Sequence, residues 1–449
     1  MIMDENKRTD SVNATHVAGD RDLQFGGSGY VRYVRDPFVT DPTTNIDQGF
    51  YVISYGESAN APSTIVGRLP DGAIDPGFGS LAIPYVDDDL RALIDIQGLI
   101  FDNKGKITCV GITDVTTESG QYFYPAAIRI TTSGEMDESF GNAGRRVYEV
   151  DLSKKGIGAA VDVTHVTGSG KSHIQATSHG FQSVRRTVQE SGDILFFCKL
   201  LNGNTRVYSS HLVKIAENGE PVDSFGINGV LTIPSGGPDR RVQWLDYGID
   251  GNGSITLAGS RQGAGVLEGV VARYTSDGLI DSGFGVDGEQ IIKFGTAGNF
   301  VKSVTVSGAG EVTMLLLVQD PSGAAKFAVA KLDRSGSPDE RFNGGEALLL
   351  SEMGGFSNAF VSMEVDKDER IIVAGEDAIT KQHARLTRIM PDGTLDTEFG
   401  NNGSRTYDEL WAFLRLAIQN GTDILAIAYD ADSNFPSEQL LVRFFGDAG

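Results

Sequence analysis

The segment at residues 386–403, LTRIMPDGTLDTEFGNNG, recurs in related form along the chain, and this repetition limits the possible folds more than any other feature. In each complete copy, a phenylalanine follows a glycine by six residues. The repeat phenylalanines are Phe25, Phe78, Phe140, Phe225, Phe284, Phe342 and Phe399. Successive phenylalanines are 53 to 62 residues apart, except for one interval of 85. A period of this length is typical of proteins built from repeated structural units.

Each unit is predicted to form four short β-strands. In the sixth unit, residues 360–365 alternate between apolar and polar, whereas 370–375 form a continuous apolar run. Alternation is typical of a half-exposed strand, and a continuous run is typical of a strand covered on both faces. A four-stranded sheet buries its faces only against neighbouring units, so the pattern favours an all-β propeller over a sandwich or a β-helix.

The two ends of the chain complete the set of repeats. Residues 19–29 form the second half of a motif, and residues 441–446 form the first half of another. Together they predict a seven-bladed β-propeller of four-stranded blades, in which an N-terminal outer strand joins three C-terminal strands in the last blade. Such a closure removes two free sheet edges. We expect residues 19–449 to form this single domain and the polar residues 1–18 to be a disordered tail.

The motif resembles the delta-60 repeat, a bacterial propeller family with units of the form Arg-Leu-x-x-Asp-Gly-x-x-Asp-x-x-Phe-Gly-x-x-Gly. The resemblance covers about residues 19–449, with the repeat phenylalanines in register. Local departures are Asn343 after its phenylalanine, Val222 at the aspartate position and Ala82 at the last glycine. The resemblance implies a propeller fold and no particular chemistry.

A basic residue occupies the same place in every predicted third strand, two residues after an apolar one. These cations are Arg68, Arg129, Lys214, Arg273, Lys331, Arg388 and Arg443. Because side chains alternate along a strand, each cation shares a face with an apolar neighbour, and a partly covered cation needs a carboxylate. The candidate partners are the repeat aspartates, Asp22, Asp75, Asp137, Asp281, Asp339 and Asp396. The pattern therefore predicts a structural Arg–Asp clasp in the repeat loop.

The repeat loops leave one alternative open. Carboxylates three residues apart in an Asp-Gly-x-x-Asp turn can converge on a metal ion or a sugar, which would give equivalent sites around the ring. The loops lack the regularly spaced oxygen ligands of an EF-hand. We therefore expect no cofactor, with a structural cation such as calcium as the alternative.

Charge and composition exclude several classes of partner. Acidic residues outnumber basic ones by 60 to 38, which gives a net charge of −22 and argues against nucleic acids and anionic membrane surfaces. No apolar run approaches the ~20 residues of a membrane helix, and no signal peptide is visible. We therefore expect a cytoplasmic protein, or one exported without a cleaved signal. Cys109 and Cys198 lie in apolar second strands and are predicted to be buried, inert thiols.

A single functional site must come from features that differ between blades. The long interval contains an extra segment, residues 151–181, which we interpret as an interaction loop. Predicted loops at the mouth of the ring also place acids near the only two tryptophans. These binding candidates are Asp87, Asp88, Asp89, Arg91, Asp239, Arg241, Trp244, Asp408 and Trp411. Acids beside an aromatic face suit a sugar or a cation, unless both tryptophans simply pack between inner strands.

No catalytic motif is recognisable in the sequence, so no catalytic residue is predicted. We expect a non-enzymatic scaffold that binds a protein through one face of the propeller. The first alternative is a carbohydrate-binding propeller that uses Trp244, Trp411 and the nearby acids. The second alternative is a hydrolase or lyase with its site in the central funnel.

Overall fold

The chain folds into seven antiparallel sheets arranged as the blades of a propeller. The computed structural model describes residues 16–34, 43–44, 49–54, 63–83, 93–101, 106–117, 120–131, 133–148, 159–160, 192–202, 208–234, 242–263, 266–294, 298–319, 325–354, 361–377, 383–431 and 438–448. Strands dominate these ranges, with two short 3₁₀ turns at Phe25–Gly27 and Asn343–Gly345. The predicted all-β fold and the number of blades are confirmed.

The first three blades follow a short N-terminal strand, β1 (Val31–Val34). Blade 1 contains β2 (Thr43–Thr44), β3 (Phe50–Ser54), β4 (Ser63–Arg68) and β5 (Ser80–Ile83). Blade 2 contains β6 (Leu93–Phe101), β7 (Ile107–Thr117), β8 (Gly120–Ile130) and β9 (Arg145–Val147). Blade 3 contains β10 (Ala159–Ala160), β11 (Ile194–Asn202), β12 (Tyr208–Ile215) and β13 (Val230–Ile233). The segment expected as an interaction loop at 151–181 thus supplies β10, the first strand of blade 3; its remaining residues lie outside the described ranges.

The remaining blades repeat this order with one irregularity. Blade 4 contains β14 (Val242–Ile249), β15 (Ile255–Gln262), β16 (Leu267–Tyr274) and β17 (Glu289–Ile292). Blade 5 contains β18 (Asn299–Val306), β19 (Val312–Gln319), β20 (Ala325–Leu332) and β21 (Leu348–Leu350). Blade 6 contains β22 (Met353–Gly354), β23 (Ser362–Val365), β24 (Ile371–Asp377), β25 (Ala384–Ile389) and β26 (Ser404–Tyr407). Both β22 and β23 pair with β24, so the first strand of blade 6 is interrupted.

Blade 7 joins the two ends of the chain. Its strands are β27 (Leu410–Gln419), β28 (Asp423–Asp430), β29 (Glu438–Phe444) and the N-terminal β1. β1 pairs antiparallel with β29, with Val31 opposite Leu441. Residues 16–18, expected in the disordered tail, belong to the fold, because Ala18 is buried and bridges to Phe399 in blade 6. The ring therefore closes through strand pairing.

The first strands of blades 4, 5, 6, 7 and 1 lie next to one another around the central channel. β14 contacts β18, β18 contacts β23, β23 contacts β27 and β27 contacts β2, so these strands form the inner ring. Second strands lie in the middle of the blades and are buried on both faces, as along Ile371–Asp377. Cys109 and Cys198 are buried in such strands, and burial raises the pKa of both thiols.

The antiparallel order gives the propeller two different faces. We call the side that carries the repeat turns between third and fourth strands the motif face. The opposite side, where second strands lead into third strands and each blade leads into the next, is the variable face. The motif face is nearly the same in every blade, so differences between blades concentrate on the variable face.

The repeat phenylalanines connect neighbouring blades on the motif face. Phe284 of blade 4 is fully buried, and its ring lies against Gly336 in the repeat turn of blade 5. A Cβ atom added to Gly336 would lie 3.0 Å from two atoms of this ring. Phe25, Phe140, Phe225 and Phe399 meet the corresponding glycines of their own next blades. These five turn glycines therefore make room for the ring of the preceding blade, whereas Gly134 and Gly393 meet other atoms.

Replacing Gly336 by alanine should destabilise the protein by about 1–3 kcal/mol. The residue has φ +86°, which an L-residue adopts only with strain, and the new methyl would press on Phe284. The free energy of unfolding from urea titration measures the loss. Gly308→Ala in the same blade is the matched control, because its Cβ would meet nothing within 4 Å. Equal effects of the two substitutions would contradict this role of the turn glycine.

Candidate functional site

The repeat cations and aspartates pair directly in three of the blades. Nε of Arg129 donates to Asp137 at 2.7 Å, that of Arg388 to Asp396 at 2.8 Å, and that of Arg443 to Asp22 at 3.0 Å. In each aspartate the other carboxylate oxygen accepts the backbone N–H two residues later. Hydrogen bonds from Ser139 and Lys106, together with Arg129, outweigh desolvation and hold the pKa of Asp137 well below its usual range.

Two of the expected clasps have different partners. Arg68 donates from Nε to the hydroxyl of Tyr33 at 3.1 Å and from Nη1 to the carbonyl of Gly72 at 2.8 Å. Arg273 donates from Nε to the Thr256 hydroxyl at 3.2 Å. Asp75 and Asp281 still cap their turns, by accepting the N–H groups of Gly77 and Gly283 at 2.8 and 3.0 Å. In these two blades a neighbouring hydroxyl accepts the hydrogen bond from the arginine Nε that the repeat carboxylate accepts in the other three.

The same cations also join successive blades. Arg273 donates to the carbonyl of Arg334 at 2.6 Å, and Arg443 donates to that of Pro70 at 2.6 Å. Both acceptors belong to the repeat turn of the next blade. The Arg273 guanidinium also lies 4.3 Å from the centre of the Phe284 ring. These contacts give the repeat residues a structural role, and within the described ranges no cluster of three or more His, Cys, Asp or Glu side chains forms a metal site.

The structure describes only three of the binding candidates predicted at the mouth of the ring, Trp244, Asp408 and Trp411. Asp87, Asp88, Asp89, Arg91, Asp239 and Arg241 lie outside the described residues. Trp244 is 1% exposed, and its Nε1–H donates to the carbonyl of Pro234 at 3.1 Å. Because its ring is covered between blades, Trp244 does not present a face to a sugar. Trp411 is only partly buried and lies at the start of β27 on the variable face.

Trp411 lies close in the chain to a second pair of side chains, contributed by blade 6 and by the segment that connects blades 6 and 7. Its ring centre is 6.0 Å from that of Tyr429 on the neighbouring strand. Asp408, three residues earlier, has 86% of its side chain exposed. Oδ1 of Asp408 lies 3.2 Å from Nδ1 of His383, whose side chain is 28% exposed. We call His383, Asp408, Trp411 and Tyr429 the blade 6–7 site.

A buried ionic network supports the histidine. Arg385, two residues after His383, donates to Asp377 at 2.7 Å and to the Thr406 hydroxyl at 3.1 Å, and it also contacts Glu352. Burial lowers the pKa of Arg385 from its ordinary value. The backbone N–H of Asp377 donates to the carbonyl of His383 at 2.9 Å, which fixes the start of β25. The imidazole therefore projects from a backbone held in place by paired charges.

This arrangement suits proton transfer next to a flat ligand. General acid–base histidines are commonly positioned with a carboxylate at one imidazole nitrogen, which leaves the other nitrogen for the substrate. Asp408 and Trp411 are three positions apart in the chain, so their Cα atoms are at most about 11 Å apart. His383 was not predicted from the sequence, because an isolated histidine with no motif gives no signal. Its pairing with Asp408 depends on the packing of blade 6 against blade 7.

Comparisons with known proteins place the repeats in a wider group. A family model described as "Domain of unknown function (DUF5122) beta-propeller" matches residues 251–284 and 367–399. Two repeats thus resemble a known propeller family. Each matched segment ends at or next to a repeat phenylalanine, Phe284 or Phe399, so the match falls on the motif described above. No curated protein matches the chain.

Several solved structures share the propeller architecture at low sequence identity. An ulvan lyase of polysaccharide lyase family PL25, bound to -[GlcA(1-4)Rha3S]-, is 12% identical, with 93% of this chain and 96% of that chain covered and a TM-score of 0.49. The polysaccharide lyase Uly1 is 10% identical over 90% and 89% of the two chains, with a TM-score of 0.47. A Trypanosoma rangeli sialidase is 8% identical over 97% and 58%, with a TM-score of 0.39.

These comparisons correct the expected function. The sequence patterns favoured a non-enzymatic scaffold for a protein partner. The solved structures similar along most of the chain include polysaccharide lyases and sialidases, which contradicts the scaffold expectation. Within the described ranges, the structure contains no helix with the length and apolar character needed to cross a bilayer.

Proposed function

We propose that the chain is a carbohydrate-active propeller whose substrate binds at the blade 6–7 site. The observation that carries this proposal is the contact between His383 and Asp408 at 3.2 Å, next to the partly exposed Trp411. An indole face packs well against the C–H groups of a sugar ring, and its exposure on the variable face leaves it accessible. The nearby imidazole is placed to exchange a proton with a bound glycan.

The residues have separate roles in this proposal. Trp411 holds the sugar ring, which sets affinity and orientation, and the buried Tyr429 packs beside the indole and supports it. Asp408 lies beside Nδ1 of His383, and Nε2 on the other side of the ring would accept or donate a proton at the glycosidic linkage. General acid–base catalysis of this kind contributes about 10²–10⁴-fold to a rate. The reaction class is cleavage of a glycosidic bond.

Turnover of a panel of acidic and neutral polysaccharides, measured as new reducing ends, tests the proposal. We expect His383→Asn to lower kcat by about 10²–10⁴-fold, because the proton-transfer group is lost. Trp411→Ala should raise KM more than it lowers kcat, because the substrate loses its aromatic platform. His16→Asn is the matched control, since His16 stacks on Phe445 at the chain terminus, away from the site. Unchanged turnover in His383→Asn, or no cleavage of any glycan by the wild type, would contradict the proposal.

Assignment to the delta-60 repeat family is a further part of this proposal. The repeat phenylalanines in register and the glycine of each turn support it. Sequences with the same motif should then preserve the blade-to-blade contacts while differing at positions 383, 408 and 411.

A further inference from the structure

Lys302 stands out among the basic residues because it is largely buried and pairs with no carboxylate in the described part of the chain. The residue is 7% exposed and lies on β18, the strand of blade 5 that borders the channel. Its Nζ is 5.1 Å from the centre of the Phe300 ring, and no carboxylate among the described residues pairs with it. Partial removal of an ammonium from water is unfavourable unless a negative charge lies nearby.

Lys302 is the bulged residue of its strand. The pairing of β18 with β19 skips it, passing from Val301 to Ser303. The bulge is anchored from blade 4, where the fully buried Asp246 accepts the N–H of Val304 at 2.8 Å and the Ser303 hydroxyl at 3.1 Å. Bulges often redirect a side chain next to a functional site.

Other blades show that the bulge does not need a cation. β14 skips Leu245 in the same way, and β27 skips Leu414. A leucine therefore satisfies this position in blades 4 and 7, whereas blade 5 carries an ammonium. The packing at this position is satisfied by a leucine in blades 4 and 7, so packing alone does not explain the positive charge of Lys302 in blade 5.

We propose that Lys302 is the cationic centre of an anion-binding site on the inner ring, which takes a single carboxylate, sulfate or phosphate group. The ligand would supply the negative charge that the described residues do not, and Phe300 would cover the lysine stem. With a net charge of −22, the chain repels anions in general, so a buried cation gives local selectivity. This site is separate from the blade 6–7 site and does not depend on it.

Thermal unfolding with added anions tests this inference. Glucuronate, sulfate or phosphate should raise the Tm of the wild type above that in sodium chloride of equal ionic strength, whereas glucose should not. A shift with glucuronate alone identifies a sugar acid, and a shift with sulfate or phosphate identifies a free oxyanion. Lys302→Leu should abolish the shift and keep a basal Tm equal to or above that of the wild type. Lys302→Met checks the same result with an unbranched side chain.

Lys293→Met is the matched control, because Lys293 is exposed near the end of blade 4. It should keep the full anion-dependent shift. The inference is overturned if no anion stabilises the wild type, if Lys302→Leu responds like the wild type, or if both apolar variants lower the basal Tm. Since the readout is Tm, its outcome is independent of glycan turnover.

The anion effect should also fade as the pH rises through about 8, because burial lowers the pKa of Lys302 to about 8. The strands packed against β18 carry Asp246, Arg261, Glu268, Arg273 and Glu364. Arg261 and Glu268 pair with each other at 3.0 Å, and Asp246 is hydrogen-bonded as described above. An anion effect that persists unchanged to pH 10 would assign the binding to another group.

Discussion

Deletion of residues 1–34 should abolish the cooperative thermal transition of the propeller. The deleted segment contains β1 and the fully buried Phe25, whose ring lies against Gly72 of blade 1. It also contains Asp22, the partner of Arg443. Losing a buried phenylalanine alone costs about 3–5 kcal/mol, and losing the strand and the ion pair brings the total above about 5 kcal/mol. Domains are stable by only about 5–15 kcal/mol, so most of the folded population would be lost.

Differential scanning calorimetry measures this effect, with deletion of residues 1–15 as the control. The shorter deletion retains Ala18, Asp22 and Phe25, so its Tm should match that of the full chain. Adding a peptide of residues 16–34 to the longer deletion should restore part of the transition, because the peptide can pair with β29. If the variant that lacks residues 1–34 has the same thermal transition as the full chain, ring closure contributes little to stability.

Phe284→Ala should destabilise the protein by about 3–5 kcal/mol. The ring is fully buried between blades 4 and 5, contacts Gly336 and lies under the guanidinium of Arg273. Its removal leaves a cavity that the rigid turn of the next blade cannot fill. The neighbouring Val286→Ala is the control, because Val286 is 75% exposed and should change the unfolding free energy by less than about 0.5 kcal/mol.

The two variants should be compared by urea titration at matched protein concentration. A loss below about 1 kcal/mol for Phe284→Ala would show that the interface repacks, and the structural role of the repeat phenylalanines would have to be revised. A large loss for Val286→Ala would point to a contact on the motif face that a monomer does not have.

The repeat made most of the fold predictable from the sequence. A fixed spacing of glycine and phenylalanine marks the turn that every blade shares, and the split motif at the two termini predicted the pairing of β1 with β29. The partners of the repeat cations were less predictable. Tyr33 and Thr256 replace a carboxylate through contacts that only the packed strands create.

The candidate site was predictable only in part. Asp408 and Trp411 were identified because acids and tryptophans are uncommon together at the start of an inner strand. Trp244 has the same sequence context but is covered by blade 3 and blade 4, since burial depends on neighbours far away in the chain. His383 and Lys302 belong to no sequence motif. Each is singled out only by its contacts in the fold: Asp408 lies beside His383, and Asp246 of blade 4 anchors the bulge that contains Lys302.

The chain begins and ends within blade 7, so the sequence repeat is out of step with the blades, and this has an evolutionary consequence. At five of the seven junctions, a phenylalanine of one motif copy lies against the turn glycine of the next copy, so these junctions are encoded in the same way. Duplicating or removing one gene segment of this period would preserve such a junction and leave the mixed sheet where the termini meet unchanged. Ring size in such proteins can therefore change by whole units, without an intermediate that lacks a closed circle.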